Sequence, residues 1–350
     1  MQEGTTMYDK DPIRDVEQLE DMLSEPTQGV IDTLGRIDGD ILVLGVGGKV
    51  GPTLARMAKR ASDAAGVNRR VIGVDLFPNP EMQARVESFG VETIKCNLLD
   101  QDQFNSLPDA KNVVFMVGMK FGSTGQEALT WAMNAFLPGL VAQKYKDSRI
   151  VSFSTGNIYG LVPITYGGSV ETDTPNPVGD YATSALGRER MFEHFSKTNG
   201  TPTAIIRLNY AVEMRYGVLV DIAQQVWAGQ PVDVTMGNAN VIWQGDAIAM
   251  TLQSFDLVSS PAFVLNVAGP ELVSIRKVAE QYGQLMGKPV TITGAEAPDV
   301  LYNNGKLGHR LLGYPRVSLD QMIHWIANWV MRGGESLGKP THFESRDGKF

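Results

Sequence analysis

The chain has 350 residues and a formal charge of −8, which is long for one compact core and the wrong sign for nucleic-acid or anionic-membrane binding as a main task. Its hydrophobic fraction of 43% and charged fraction of 20% are those of an ordinary globular protein. One cysteine, Cys96, excludes an intramolecular disulfide framework and a Cys-rich metal site, and the four histidines (His194, His309, His324, His342) show no ligand spacing. No apolar run approaches the roughly 20 residues of a membrane helix. The amino-terminal stretch "MQEGTTMYDKDPIRDVEQLED" is polar and acidic, unlike a secretory signal. The expectation is a cytoplasmic protein with neither nucleic acid, membrane nor metal as partner.

In chain order, residues 1–39 read as a helical extension. Short apolar runs then alternate with helical stretches. The strand candidates are Asp40–Gly45, Arg70–Asp75, Val91–Cys96, Asn112–Gly118, Arg149–Thr155 and Thr203–Asn209. Helices are expected at Pro52–Ala64, Pro80–Phe89, Gly125–Tyr145 and Tyr181–Lys197. Continuous β-branched runs joined by helical crossovers imply a parallel sheet covered on both faces. The rhythm breaks between Tyr210 and Ile242 and again after Gly269, where insertions past the sheet's carboxyl edge would form a second lobe. The reading is an α/β protein, a Rossmann-type doubly wound parallel sheet with a smaller C-terminal substrate-binding lobe. Residues 40–209 and 241–269 would form the first part, 210–240 and 270–335 the lobe, and 336–350 a polar tail.

Between the first strand and first helix lies "LGVGGKVG". It allows a GxGxxG reading from Gly45 and Gly47 and a GxxGxxG reading from Gly45, Gly48 and Gly51. Either way the chain turns sharply, brings its backbone close to a pyrophosphate, and packs a helix tightly on the sheet. Asp75 ends the second strand, where a carboxylate accepts from the adenosine ribose diol and repels a 2′-phosphate. NAD is therefore favoured over NADP. Arg69 and Arg70, the features that keep NADP open, are expected at the strand's exposed start.

With these motifs the chain resembles the extended short-chain dehydrogenase/reductase group, the NAD-dependent epimerase/dehydratase family, over about Ile41 to Val330. The resemblance rests on "GVGGKVG", "CNLLD", "VGMKFG", "STGNIYG" and "YATSALGRE", with "IIRLNY", "VIWQGDAIA" and "FVLNVAG" following. It implies cofactor contacts from Gly45, Gly47, Gly48, Lys49, Val50, Gly51, Asp75 and Leu76. It further implies Asn97 and Leu98 by the adenine, and Val117, Gly118 and Lys120 beside the nicotinamide-side ribose. Tyr181 would be the base and a cofactor contact, and Thr155 the hydroxyl that holds the substrate oxygen. A homodimer, paired through Gly125–Tyr145 and Tyr181–Lys197, is also implied.

One position departs from the pattern. The family's lysine four residues after the tyrosine is Ala185 here. An unperturbed tyrosine, with a pKa of about 10, is roughly one-thousandth ionised at neutral pH, and a neighbouring cation normally narrows that gap. Arg188, two helical turns after Tyr181, and Lys120 are the candidate replacements. The competing readings are a surface or dimer-contact role for Arg188 and a phosphate or ribose contact for Lys120.

Gly156 and Asn157 stand where the family's dehydratases carry carboxylic residues, which argues against 4,6-dehydration. Lys120, Asn157 and Asn209 are candidate substrate ligands, while Arg207 reads as a strand-end anchor. Arg215 and Tyr216 read as an anion site or a solvated loop. Two functions follow: an NAD-dependent oxidoreductase or epimerase acting on a carbinol of a sugar or sugar-acid derivative, or an NAD-binding protein that has lost catalysis.

Overall fold

The computed structural model describes residues 11–120, 122 and 124–348. Phe121 of "VGMKFG", the first ten residues of the extension and the last two of the tail lie outside them.

Seven parallel strands form one sheet: β1 (Ile41–Leu44), β2 (Val71–Asp75), β3 (Glu92–Lys95), β4 (Asn112–Phe115), β5 (Arg149–Thr155), β6 (Thr203–Leu208) and β7 (Phe263–Val267). Their order is β7-β6-β5-β4-β1-β2-β3. Alternate residues of β1 enter opposite cores, Ile41 and Val43 on one face, Leu42 and Leu44 on the other. Both faces are therefore dry at the centre of the sheet, which is why β1 reads as an unbroken apolar run, while the edge strand β3 is exposed at both ends. The order reverses between β1 and β4, and a crevice opens at the carboxyl ends of the strands there.

A second core holds the lobe together. Trp243 and Trp325 meet edge to face at 5.8 Å within it, a favoured aromatic geometry. This core also takes Leu19, Met22 and Leu23 from the helix Val16–Leu23, and Phe343 from the far end of the chain. The first helix of the expected extension and the tail are thus built into the lobe, while the second, Gln28–Arg36, packs Val30 and Leu34 into the core of the sheet.

The stretch expected as one helix over Gly125–Tyr145 has a break in it. It runs as Glu127–Trp131, a π-turn at Ala132–Phe136, and Leu137–Lys144. Pro138 has no N–H to give the carbonyl of Asn134, four residues back. Leu137 N–H instead bonds Ala132 O, the wider π spacing. The Asn134 carbonyl is left for another donor.

Candidate active site

The glycine loop leaves β1 and enters the helix Gly51–Ala64. Gly45 turns at φ +88°, and a Cβ at Gly47 would lie 2.9 Å from the Asp75 carboxyl carbon. Both positions need glycine. At Gly48 the nearest atom to such a Cβ is 3.4 Å away, so nothing in the protein crowds that side of the loop. Asp75 accepts from Gly47 N–H at 2.9 Å and Leu76 N–H at 2.8 Å, fixing its carboxylate under the loop.

A cavity of about 910 Å³ follows the loop across the ends of the strands. Gly45, Gly47, Gly48, Lys49, Val50, Gly51, Asp75, Leu76, Asn97, Leu98, Val117, Gly118 and Lys120 all line it. Its size lies within the range of small-molecule sites. The open glycine loop, the fixed acidic strand end and the cavity together fit a dinucleotide.

Lys49 and Lys120 are two of the cations that line the cavity. Lys49 donates to Ala211 O at 3.0 Å and sits 3.5 Å over the Tyr216 ring. Burial pushes its ammonium down to about 7, partly opposed by Glu213. Lys120 donates to Thr341 O at 3.4 Å, and burial pushes it down to about 8. Arg215, which also lines the cavity, is 6% exposed and pairs with Glu20 and Glu213, so the solvated-loop reading of this stretch is replaced by a buried charge network. Arg69 is likewise buried, donating to the carbonyls of Leu34 and Ile37 at 2.6 Å each; Arg70 alone lies at the exposed start of β2.

Thr155 ends β5, and Tyr181 lies in the first turn of the helix Gly179–Asn199. Burial pushes the Tyr181 phenol above the ordinary tyrosine range, while the Thr155 hydroxyl and the charge of Arg188 pull it back. Ala185 is buried against Ile158 and Tyr159. Arg188 is buried as well, at 6% exposure, which overturns its surface or dimer-contact reading.

Asn157 is half-buried beside this pair, its N–H on the Thr155 hydroxyl at 3.2 Å. Asn209 is 4% exposed and donates to Asn240 at 3.2 Å. Arg207 anchors its strand: it forks onto Glu189 and reaches Tyr159 at 2.7 Å.

The sequence reading missed three contributors. Asn303, wholly buried, presses against Gly156 with neither amide atom hydrogen-bonded. Glu20, from the first helix, reaches the cavity wall and bridges Arg85 to Arg215. The third is the segment Leu337–Gly348, a strap across the mouth of the site. Thr341 bonds Asp221 through its N–H (2.8 Å) and hydroxyl (2.6 Å), and Arg346 pairs with Asp299. On the other side Lys120 holds the Thr341 carbonyl, and Gly348 packs on Gly179, two residues before Tyr181. Only Phe343, as an isolated apolar residue in a polar run, could have signalled this.

A doubly wound parallel sheet with a glycine loop and an acidic second-strand end defines a dinucleotide-binding α/β protein. Residues 41–213 match the NAD dependent epimerase/dehydratase family. Over those residues the chain has the sequence pattern of that family. No curated protein sequence matches it. Among solved structures it is similar to UDP-glucuronic acid 4-epimerase from Bacillus cereus in complex with NAD (19% identity, TM-score 0.70, covering 84% of this chain and 96% of that one). It is also similar to UDP-glucose 4-epimerase from Thermotoga maritima (17%, 0.68, 84% and 99%) and dTDP-glucose 4,6-dehydratase from Bacillus anthracis (14%, 0.70, 85% and 97%). At these identities the likeness is one of fold.

Proposed function

We propose that the protein is an NAD-dependent oxidoreductase or epimerase acting on a carbinol of a sugar or sugar-acid derivative. The observation that carries this reading is that the Thr155 hydroxyl, at the end of β5, acts directly on the Tyr181 phenol in the first turn of the helix Gly179–Asn199. When bound, NAD supplies a hydride acceptor. The backbone of the glycine loop and Lys49 hold the pyrophosphate, Asp75 takes the ribose diol, and Lys120 lies on the nicotinamide side. Tyr181 receives the carbinol proton while Thr155 holds the same oxygen in line. Asn157 has the chemistry to donate to a neighbouring hydroxyl and none to act as a general acid, so oxidation or epimerisation is favoured over dehydration.

The names of the structural neighbours mention UDP-sugars and dTDP-glucose. The strap over the Tyr181 side favours a free sugar derivative, which needs less room. Leu129, Trp131 and Phe136, at 43%, 40% and 61% exposure, support pairing of two copies through this helical face.

The non-catalytic reading has its own support: neither Thr155 nor Tyr181 is among the residues that line the cavity. Screening sugars and uronates for NADH formation or epimerisation, with Tyr181→Phe alongside, separates the two. The enzyme reading expects turnover that disappears in Tyr181→Phe while NAD affinity stays nearly unchanged. Tight NAD binding without turnover on any carbinol supports the second.

A further inference from the structure

We propose that Arg188 is the cation that steadies the Tyr181 phenolate, an electrostatic positioning residue standing in for the lysine that Ala185 replaces. The inference rests on the reading of Tyr181 as the base.

The guanidinium has only neutral acceptors. Its Nη1 donates to Phe153 O at 2.8 Å, Nη2 to Asn134 Oδ1 at 3.0 Å, and Nε to Asn134 O at 3.4 Å. The adjacent carboxylate, Glu189, is taken by Arg207 and Ser154. Among the described residues no carboxylate pairs with Arg188. Folds seldom bury a charge without a counter-ion, because desolvation is not repaid.

The socket is nonetheless built for it. A Cβ at Gly118 would stand 2.6 Å from Nη2, so that position must be bare. The Asn134 carbonyl is available because Pro138 cannot use it. Positions 181, 185 and 188 share one helix face, and helical side chains lean toward the amino end. With alanine between them, Arg188 directs its charge along that face toward Tyr181. The phenol and Glu189 are the two acidic groups that act on the Arg188 charge, and Glu189 is already paired with Arg207. The groups facing Tyr181 are Arg188 and Thr155, with the phenols of Tyr210 and Tyr216 across the site and Glu344 beyond Tyr210.

The test is an ultraviolet titration of tyrosinate on the NAD-loaded protein, with Tyr181 assigned by difference against Tyr181→Phe; no substrate is needed. Arg188→Gln removes the charge while keeping an N–H donor near the Asn134 carbonyl, and should raise the Tyr181 pKa by about a unit or more, a tenfold loss of phenolate at fixed pH. Arg188→Lys disturbs the same hydrogen bonds, keeps the charge, and should hold the value near that of the unaltered chain. Equal shifts in the two variants, or none in Arg188→Gln, overturn the proposal. If Arg188→Gln does not fold, the Arg188→Lys titration decides alone: a Tyr181 pKa raised by about a unit or more with the charge kept overturns the proposal. A titration that moves in a protein without turnover leaves the Arg188 coupling standing and rejects only the enzyme reading.

Discussion

Lys49 sits where one side chain can report on cofactor binding. It is a lysine inside the glycine loop, and burial has brought its ammonium down to about 7. Lowering of this kind means that the unfolded chain holds the proton more tightly than the folded one. Its cost to the fold is therefore full below about 7 and fades as pH rises toward the ordinary lysine value. An approaching pyrophosphate works the other way, because an anion favours the charged form. Binding then draws in a proton, and NAD affinity should weaken as pH climbs through about 7 to 8, the range set by Lys49 and Lys120. Calorimetry in two buffers of different ionisation enthalpy measures that uptake. Lys49→Met should reduce it; equal uptake in both proteins would rule Lys49 out as its source.

The elements differ in how plainly the sequence announces them. β1 is legible because a strand dry on both faces reads as a continuous apolar run, and β5 and β6 keep enough of that run around the buried Ser152, Ser154 and Arg207 to be read the same way. The glycine loop is legible because Gly45 and Gly47 answer backbone demands that no other residue meets. Arg188 is not, since its burial depends on Gly118 in another strand's extension and on a carbonyl freed by Pro138 in another helix. Nor is the strap, whose polarity resembles that of a solvated tail. Its anchor, Phe343, is 3% exposed in the lobe core. Phe343→Ala should cost about 3–5 kcal/mol if that site is an ordinary core position. Urea unfolding checks this, and an unchanged midpoint would mean that the strap is not held by its aromatic residue.

Across the whole molecule, the sheet and the lobe were foreseeable from the alternation of runs and its breaks, while the way the first helix and the strap close the lobe was not. Leu19, Met22 and Leu23 meet Phe343's cluster from the opposite end of the sequence, and no local pattern carries that pairing. The apolar face at Leu129, Trp131 and Phe136 bears on assembly. Sedimentation at micromolar concentration should show a dimer, and Phe136→Glu should shift it toward monomer by burying a charge in the contact. A monomer in the unaltered chain would leave that face to another partner.

The strap is made after every strand and helix that it touches. Chains fold from the amino end as they leave the ribosome, so the sheet and glycine loop can form while Leu337–Gly348 is still being synthesised. A chain lacking Leu337–Gly348 would keep every strand of the sheet and the glycine loop, yet leave Lys120, Asp221 and Gly179 without the segment that ties them together.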